Sequence, residues 1–243
     1  MPHQNHFMKK ILCLFAFLLI LTSCEESDPA KTMTVSGQVK GLKKGTLYLQ
    51  HVPDSVLIII DSLQIEGDGN FAFKADLEGP EIFYLYLNKK DNNDINDRIT
   101  FFGEPGAITI NTSWNTFDTQ AEIKGSKTND KYREYLKTMS RFNKKNLELM
   151  QASLGSKTPL DSVQLDSLQK LSDKNIQKGY AFALNFALNN LDSPLAPYIA
   201  INEVSDANIK YLDSIHNSMS PEVAKSKYGV RLTKLLKMRK SAE

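Results

Sequence analysis

The sequence predicts an α+β fold, with an N-terminal antiparallel β-sandwich or barrel-like domain followed by an all-helical segment. Three observations carry this. Between residues 32 and 124, about eight short runs alternate apolar and polar side chains, with Gly, Pro, Asn and Asp between them. From about Ser126 the apolar period changes from 2 to 3.6 residues. Thr158-Pro159, Ser193-Pro194 and Ser220-Pro221 then read as helix starts. In each, a hydroxyl can accept an orphan backbone N–H, and the proline has no N–H to lose.

The first run, 32–40, places Met33, Val35, Gly37 and Val39 on one face. A turn over 41–45 leads to 46–52, where Leu47 and Leu49 share a face. Residues 56–65 are β-branched and apolar. The turn Glu66-Gly67-Asp68-Gly69-Asn70 opens 71–77, with Phe71, Phe73, Ala75 and Leu77 aligned. Residues 82–87 are apolar on both faces, as expected of a central strand. After a polar loop over 89–96, runs at 98–102, 107–111 and 120–124 complete the set.

In the helical part, Tyr132, Tyr135, Leu136, Met139, Phe142, Leu147 and Met150 predict one apolar stripe. A long helix is expected over 160–190, its mostly apolar end at 180–188 well buried. Shorter helices are expected near 195–204, 206–217, 221–225 and 230–239. The division is 1–23, 24–31, 32–125 and 126–243.

The first two of those segments carry the clearest signal. Lys9 and Lys10 precede an eleven-residue apolar run, 11–21, and small residues Thr22 and Ser23 lead to Cys24. The run falls short of the roughly 18–20 residues a membrane span needs. Leu21-Thr22-Ser23-Cys24 resembles the lipobox of bacterial lipoproteins. The resemblance implies cleavage between Ser23 and Cys24, lipid on the Cys24 sulfur and amino group, and an outer-membrane lipid anchor facing the periplasm or the cell surface. Glu25-Glu26-Ser27-Asp28 reads either as a solvated tether or as a surface-export signal of some Gram-negative groups.

Composition narrows the function. Without the leader's two lysines, 28 of the 30 basic residues remain against 28 acidic ones. The body is formally neutral, with no basic patch of the kind nucleic-acid binders need. The only two cysteines are Cys13, in the leader, and Cys24. The expected mature body therefore offers no disulfide, no Cys-x-x-Cys pair and no thiolate zinc site.

Four stretches lie in a familiar order: Thr34-Val35-Ser36-Gly37-Gln38-Val39; Gly45-Thr46-Leu47-Tyr48-Leu49; Asp61-Ser62 with Gly69-Asn70-Phe71-Ala72-Phe73; and residues 102–110, Phe-Gly-Glu-Pro-Gly-Ala-Ile-Thr-Ile. Together they resemble the domain of unknown function, with its helical segment, that precedes the thioredoxin-like domain in TlpA-like lipoprotein thiol–disulfide oxidoreductases. Tyr228-Gly229-Val230-Arg231-Leu232 resembles the last helix before that redox domain, which would begin where this sequence stops. The Cys-x-x-Cys site has no counterpart here, so the family's redox activity is not carried over.

Individual candidates are weighed against simpler readings. Asp91-Asn92-Asn93-Asp94-Ile95-Asn96-Asp97 suggests a calcium loop, but Ile95 and Asn96 occupy the fifth and sixth positions, where the EF-hand spacing wants an oxygen ligand and a glycine. A hairpin loop is the better account. His51 and His216 are isolated, and no Gly-x-Ser-x-Gly accompanies them; His3 and His6 fall in the leader. Trp114, Tyr48, Tyr84 and Tyr86 are candidates for a ligand or sugar platform, with strand packing the simpler reading. Asn111-Thr112-Ser113 matches a glycosylation triplet that a bacterial lipoprotein has no reason to use.

The expectation is a lipid-anchored envelope protein acting as a non-catalytic binding or scaffold module, with no cofactor, no metal and no catalytic residues. The alternatives are an accessory subunit working with a separate thioredoxin-like protein, or a truncated oxidoreductase.

Overall fold

The computed structural model describes residues 28, 30–53, 56–89, 97–154 and 160–241. The leader, the Ser23/Cys24 cleavage and lipidation site, most of the tether, the loop 90–96 and Thr158-Pro159 lie outside the described residues.

Eight strands come first: β1 (Thr32–Lys40), β2 (Lys44–His51), β3 (Ile58–Glu66), β4 (Asn70–Asp76), β5 (Glu81–Asn88), β6 (Arg98–Gly103), β7 (Gly106–Ser113) and β8 (Glu122–Lys124). Six helices follow: α1 (Lys127–Leu154), α2 (Ser162–Leu188), α3 (Leu195–Asn202), α4 (Ile209–Ser218), α5 (Pro221–Lys225) and α6 (Lys227–Lys240). The strands form two four-stranded sheets. The β1 sheet has the order β4-β1-β7-β8, and the β2 sheet the order β3-β2-β5-β6.

The expected α+β class and β-sandwich stand. The pairing departs from a purely antiparallel sheet at one place, where β1 and β7 run parallel. Gly37 makes that pairing close. A Cβ there would lie 1.8 Å from the Ile110 carbonyl oxygen, so no larger residue fits. Between the sheets lies the first core. Met33, Val35, Phe73, Ile108 and Ile110 of the β1 sheet meet Leu47, Leu49, Phe83, Leu85 and Phe101 of the β2 sheet. All lie on the inward set of each strand's period of two.

The apolar run at 56–65 turns out to be an edge. Val56, Leu57, Ile58 and Ile59 are exposed, and of that run only Ile65 is fully buried. The edge at β6 is instead covered. Ser126 accepts from the Asn129 N–H at 2.9 Å, as a helix cap does, and donates to the Phe102 carbonyl at 2.9 Å. The Asn129 carboxamide oxygen accepts from the Phe102 N–H at 3.0 Å. Both backbone groups of Phe102 are thereby satisfied by the start of α1. The Glu104 carboxylate accepts from the Lys127 N–H and the Thr128 hydroxyl, placing an anion at the positive end of α1.

The helices build a second core around the outer face of the β2 sheet. Phe102 and Ile82 point out of the sandwich and are buried with Tyr132, Leu195, Ile199, Leu212, Leu232 and others. This explains why 82–87 is apolar on both faces. The Phe102 ring meets Tyr132, Tyr198 and Tyr228 edge-on at centroid distances of 5.5–6.0 Å. The Tyr228 hydroxyl accepts from the Ile82 N–H at 3.1 Å.

Three helix expectations need correction. In α1, Tyr132, Tyr135 and Leu149 are buried, whereas Leu136, Leu147 and Met150 are exposed. The buried row advances by three and four residues, which puts Leu149 rather than its neighbours on the line. In α2 the fully buried row is Gly179, Ala183 and Ala187; the larger residues of 180–188 are partly buried or exposed. Its start is a capping box, with Asp161 accepting from the Gln164 N–H and Gln164 accepting from the Asp161 N–H. Pro194 sits at the cap of α3 rather than inside it, and Ser193 reaches the Leu195 N–H only at 3.4 Å. Ser220-Pro221 behaves as expected, with Ser220 capping α5 and Pro221 in its first turn.

Candidate functional site

Helices cover the end of the β2 sheet's outer face at Ile82 and Phe102, while Arg98, Thr100, Ser62 and Gln64 farther along stay exposed; the outer face of the β1 sheet is open and broad. Its side chains are mostly polar: Thr34, Ser36, Gln38 and Lys40 from β1, Thr109, Asn111 and Ser113 from β7, and Glu122 from β8, with Ala72 and Lys74 of β4 and Ala107 of β7 beside them. The registers align Asn70, Gln38, Asn111 and Glu122 in one row across all four strands.

At one end of that row lies a cleft of about 550 Å³ lined by Lys40, Gly41, Asn111, Trp114, Gln120 and Glu122, with Thr112, Ser113 and Asn115 completing the wall. Trp114 is 47% exposed. Its backbone N–H donates to the Lys40 carbonyl at 3.1 Å. The indole edge rests on Gly41, where φ is +80° and a Cβ would sit 2.7 Å from Trp114 Cδ1. Glycine is therefore required twice, for the left-handed turn and for the ring.

The loop carrying Trp114 is pinned from within. Thr112 Oγ1 donates to the Phe117 carbonyl at 2.8 Å, Ser113 Oγ and Thr116 Oγ1 are 2.7 Å apart, and Phe117 is buried. The Arg133 guanidinium fastens the far end by donating to the Ala121 carbonyl at 3.1 Å. The platform is thus presented by a fixed loop.

The other sequence candidates do not join it. Tyr48, Tyr84 and Tyr86 lie on the opposite sheet. Tyr48 and Tyr86 form a cross-strand pair, and the Arg98 guanidinium lies over Tyr84 and Tyr86 at 5.4 and 5.6 Å. His51 Nδ1 stands 3.6 Å from Glu81 Oε1, and its ring stacks on Phe83. Glu81 also pairs with Lys227, which donates to the Val52 carbonyl, so this cluster ties α6 to the sandwich. His216 contacts Asn217 and Thr233. The two histidines share no partner. Within the Asp91–Asp97 run only Asp97 is described. It is buried and ion-paired with Lys89, while its carbonyl accepts from the Leu87 N–H. Among the described residues, no group of three or more His, Cys, Asp or Glu is placed to hold a metal ion. Of the glycosylation triplet, Thr112 is buried in loop bonding and Asn111 faces the cleft.

Burial pushes the Tyr132 phenol up and the Tyr135, Tyr198 and Tyr228 phenols well above the ordinary tyrosine range. Tyr180, partly buried and donating to Asp206, is raised to about 12. These groups stay neutral at ordinary pH and act as packing and hydrogen-bonding groups.

Sequence reasoning named Trp114 but missed the cleft around it. The signal was present in the neighbours Asn111, Asn115, Gln120 and Glu122, yet their convergence with Lys40 and Gly41 depends on the parallel β1–β7 pairing.

Residues 33–132 match a protein family described as a domain of unknown function (DUF4369). The matched span runs past β8 into α1 and so includes Ser126 and Asn129, which hold Phe102. No curated protein and no solved structure matches the chain.

Proposed function

We propose that this protein is a lipid-anchored component of the bacterial envelope, held at the outer membrane through Cys24, and that it works as a non-catalytic binding module. The anchor rests on the Leu21-Thr22-Ser23-Cys24 signal after its apolar run. Several acyl chains acting together suffice for stable attachment, each buried methylene contributing about 0.8 kcal/mol. No helix among the described residues is long and apolar enough to cross a membrane. The observation that carries the binding role is the asymmetry of the sandwich. One outer face is covered by helices around Ile82, Tyr84 and Phe102, and the other presents a fixed, half-exposed tryptophan among amides.

Fractionation tests the anchor. The protein should partition with membranes, and Cys24→Ser should release it or block its processing. If the variant behaves like the parent, the lipoprotein reading fails. Robust turnover in an activity screen of the full chain would overturn the non-catalytic role.

A second reading is an accessory subunit that acts with a separate thioredoxin-like protein, as the TlpA-like resemblance implies. It is favoured by the outer half of the α1–α2 hairpin, where Leu147, Met150, Leu154, Val163 and Leu165 are exposed together. Copurification of a thioredoxin-like protein that is lost on Leu154→Lys with Val163→Lys would support it.

A further inference from the structure

We infer that the Trp114 cleft is a binding site for a neutral, β-linked oligosaccharide of equatorially substituted pyranoses. This deepens the binding-module reading and rests on it.

Four features of the site point to sugar. The first is the platform. The indole is propped edge-on against Gly41 and stays 47% exposed. Equatorially substituted pyranoses direct axial C–H bonds to both faces, and these positive edges match the negative π-face of an indole. The second is the wall. Small-molecule pockets are generally lined by apolar side chains with a few polar groups. Here one aromatic stands among the carboxamides of Asn111, Asn115 and Gln120, whose remaining donors and acceptors suit paired hydroxyls, while Ser113 Oγ is held within the loop by Asn115 Oδ1 and Thr116 Oγ1. Asn111 uses its Oδ1 to accept from the Gln38 N–H at 3.1 Å and keeps its two N–H donors for a ligand.

The third is charge. Lys40 and Glu122 are the charged residues of the lining, one of each sign. The site therefore favours neither a uronate nor a phosphate. The fourth is extent. The row Glu122-Asn111-Gln38-Asn70 continues from the cleft across the sheet. Strands stand about 4.8 Å apart, so the row spans about 14 Å, and each step is close to the length of one pyranose residue. Rigidity completes the site, because the bonds within 112–117 order the loop before any ligand arrives, and a preordered site loses less entropy on binding.

Trp114 is the sole tryptophan of the chain, so its emission reports on this site alone. The full chain, extracted in a detergent without a sugar headgroup, is titrated with cellohexaose, laminarihexaose and chitohexaose, with maltohexaose and oligogalacturonate as contrasts. A saturable emission change with at least one of the three β-linked neutral sugars is expected. Gln120→Ala should weaken that binding roughly three- to tenfold while leaving the free protein's emission and melting unchanged. No emission change with any of the three β-linked sugars overturns the inference, as does a response to maltohexaose or oligogalacturonate alone or binding that Gln120→Ala leaves untouched. If sugars fail while Cys24→Ser still releases the protein, the sugar inference falls and the anchor stands. If Cys24→Ser changes nothing while sugars bind, the reverse holds.

Discussion

The two outer faces of the sandwich are built on the same alternation but have opposite fates. On the β2 sheet the outward residues include Ile82, Tyr84 and Phe102, and helices close over them. On the β1 sheet they are Thr34, Ser36, Gln38, Thr109 and Asn111, and nothing covers them among the described residues. The contrast shows where stability and binding reside. One face joins two cores into a single body, and the other is free to vary with little cost to the fold.

The sharpest way to break this contrast is Phe102→Ala. The ring lies at the centre of an aromatic cluster, and its loss should cost about 3–5 kcal/mol in denaturant unfolding. A cost below 1 kcal/mol would mean the helices are not docked there. Asn129→Ala leaves the buried Phe102 N–H without its acceptor and should cost about 1–3 kcal/mol by the same measurement. Gly41→Ala puts a side chain at φ +80° against Trp114 and should cost about 1 kcal/mol, with a shift of tryptophan emission. On the open face, Thr109→Ala should stay within about 0.5 kcal/mol of the parent.

Alkaline pH acts on the buried phenols of the closed face. The buried phenols have folded-state values above the unfolded value of about 10. Their contribution is complete below pH 10 and is lost as pH rises from there through the folded values, because the unfolded chain ionises first. The melting temperature should fall above about pH 10, and less steeply in Tyr198→Phe.

The same contrast shows what the sequence made legible. Strand positions and inward faces were readable because a period of two in Met33-Val35 or Phe71-Phe73-Ala75 has one physical meaning. The run 82–87 even announced its covered outer face. The run 56–65 was readable as a strand but not as an edge, since β-branched composition does not distinguish an edge from a centre. In α1 the stripe drifted to Leu147 and Met150 because, past Phe142, the helix packs mainly on α2 and its apolar residues are not all used. Trp114 was legible as a candidate. Its cleft was not, because Gly41 and Lys40 meet Asn111 and Gln120 only through a parallel pairing between strands some seventy residues apart.

Hydrogen–deuterium exchange of the full chain with and without saturating cellohexaose, or whichever β-linked sugar binds, tests the central claim most directly. Protection confined to residues 38–41 and 109–122, with 98–102 and α6 unchanged, is the predicted result. Protection centred on the β2 sheet or the helices, or none at all, would contradict it.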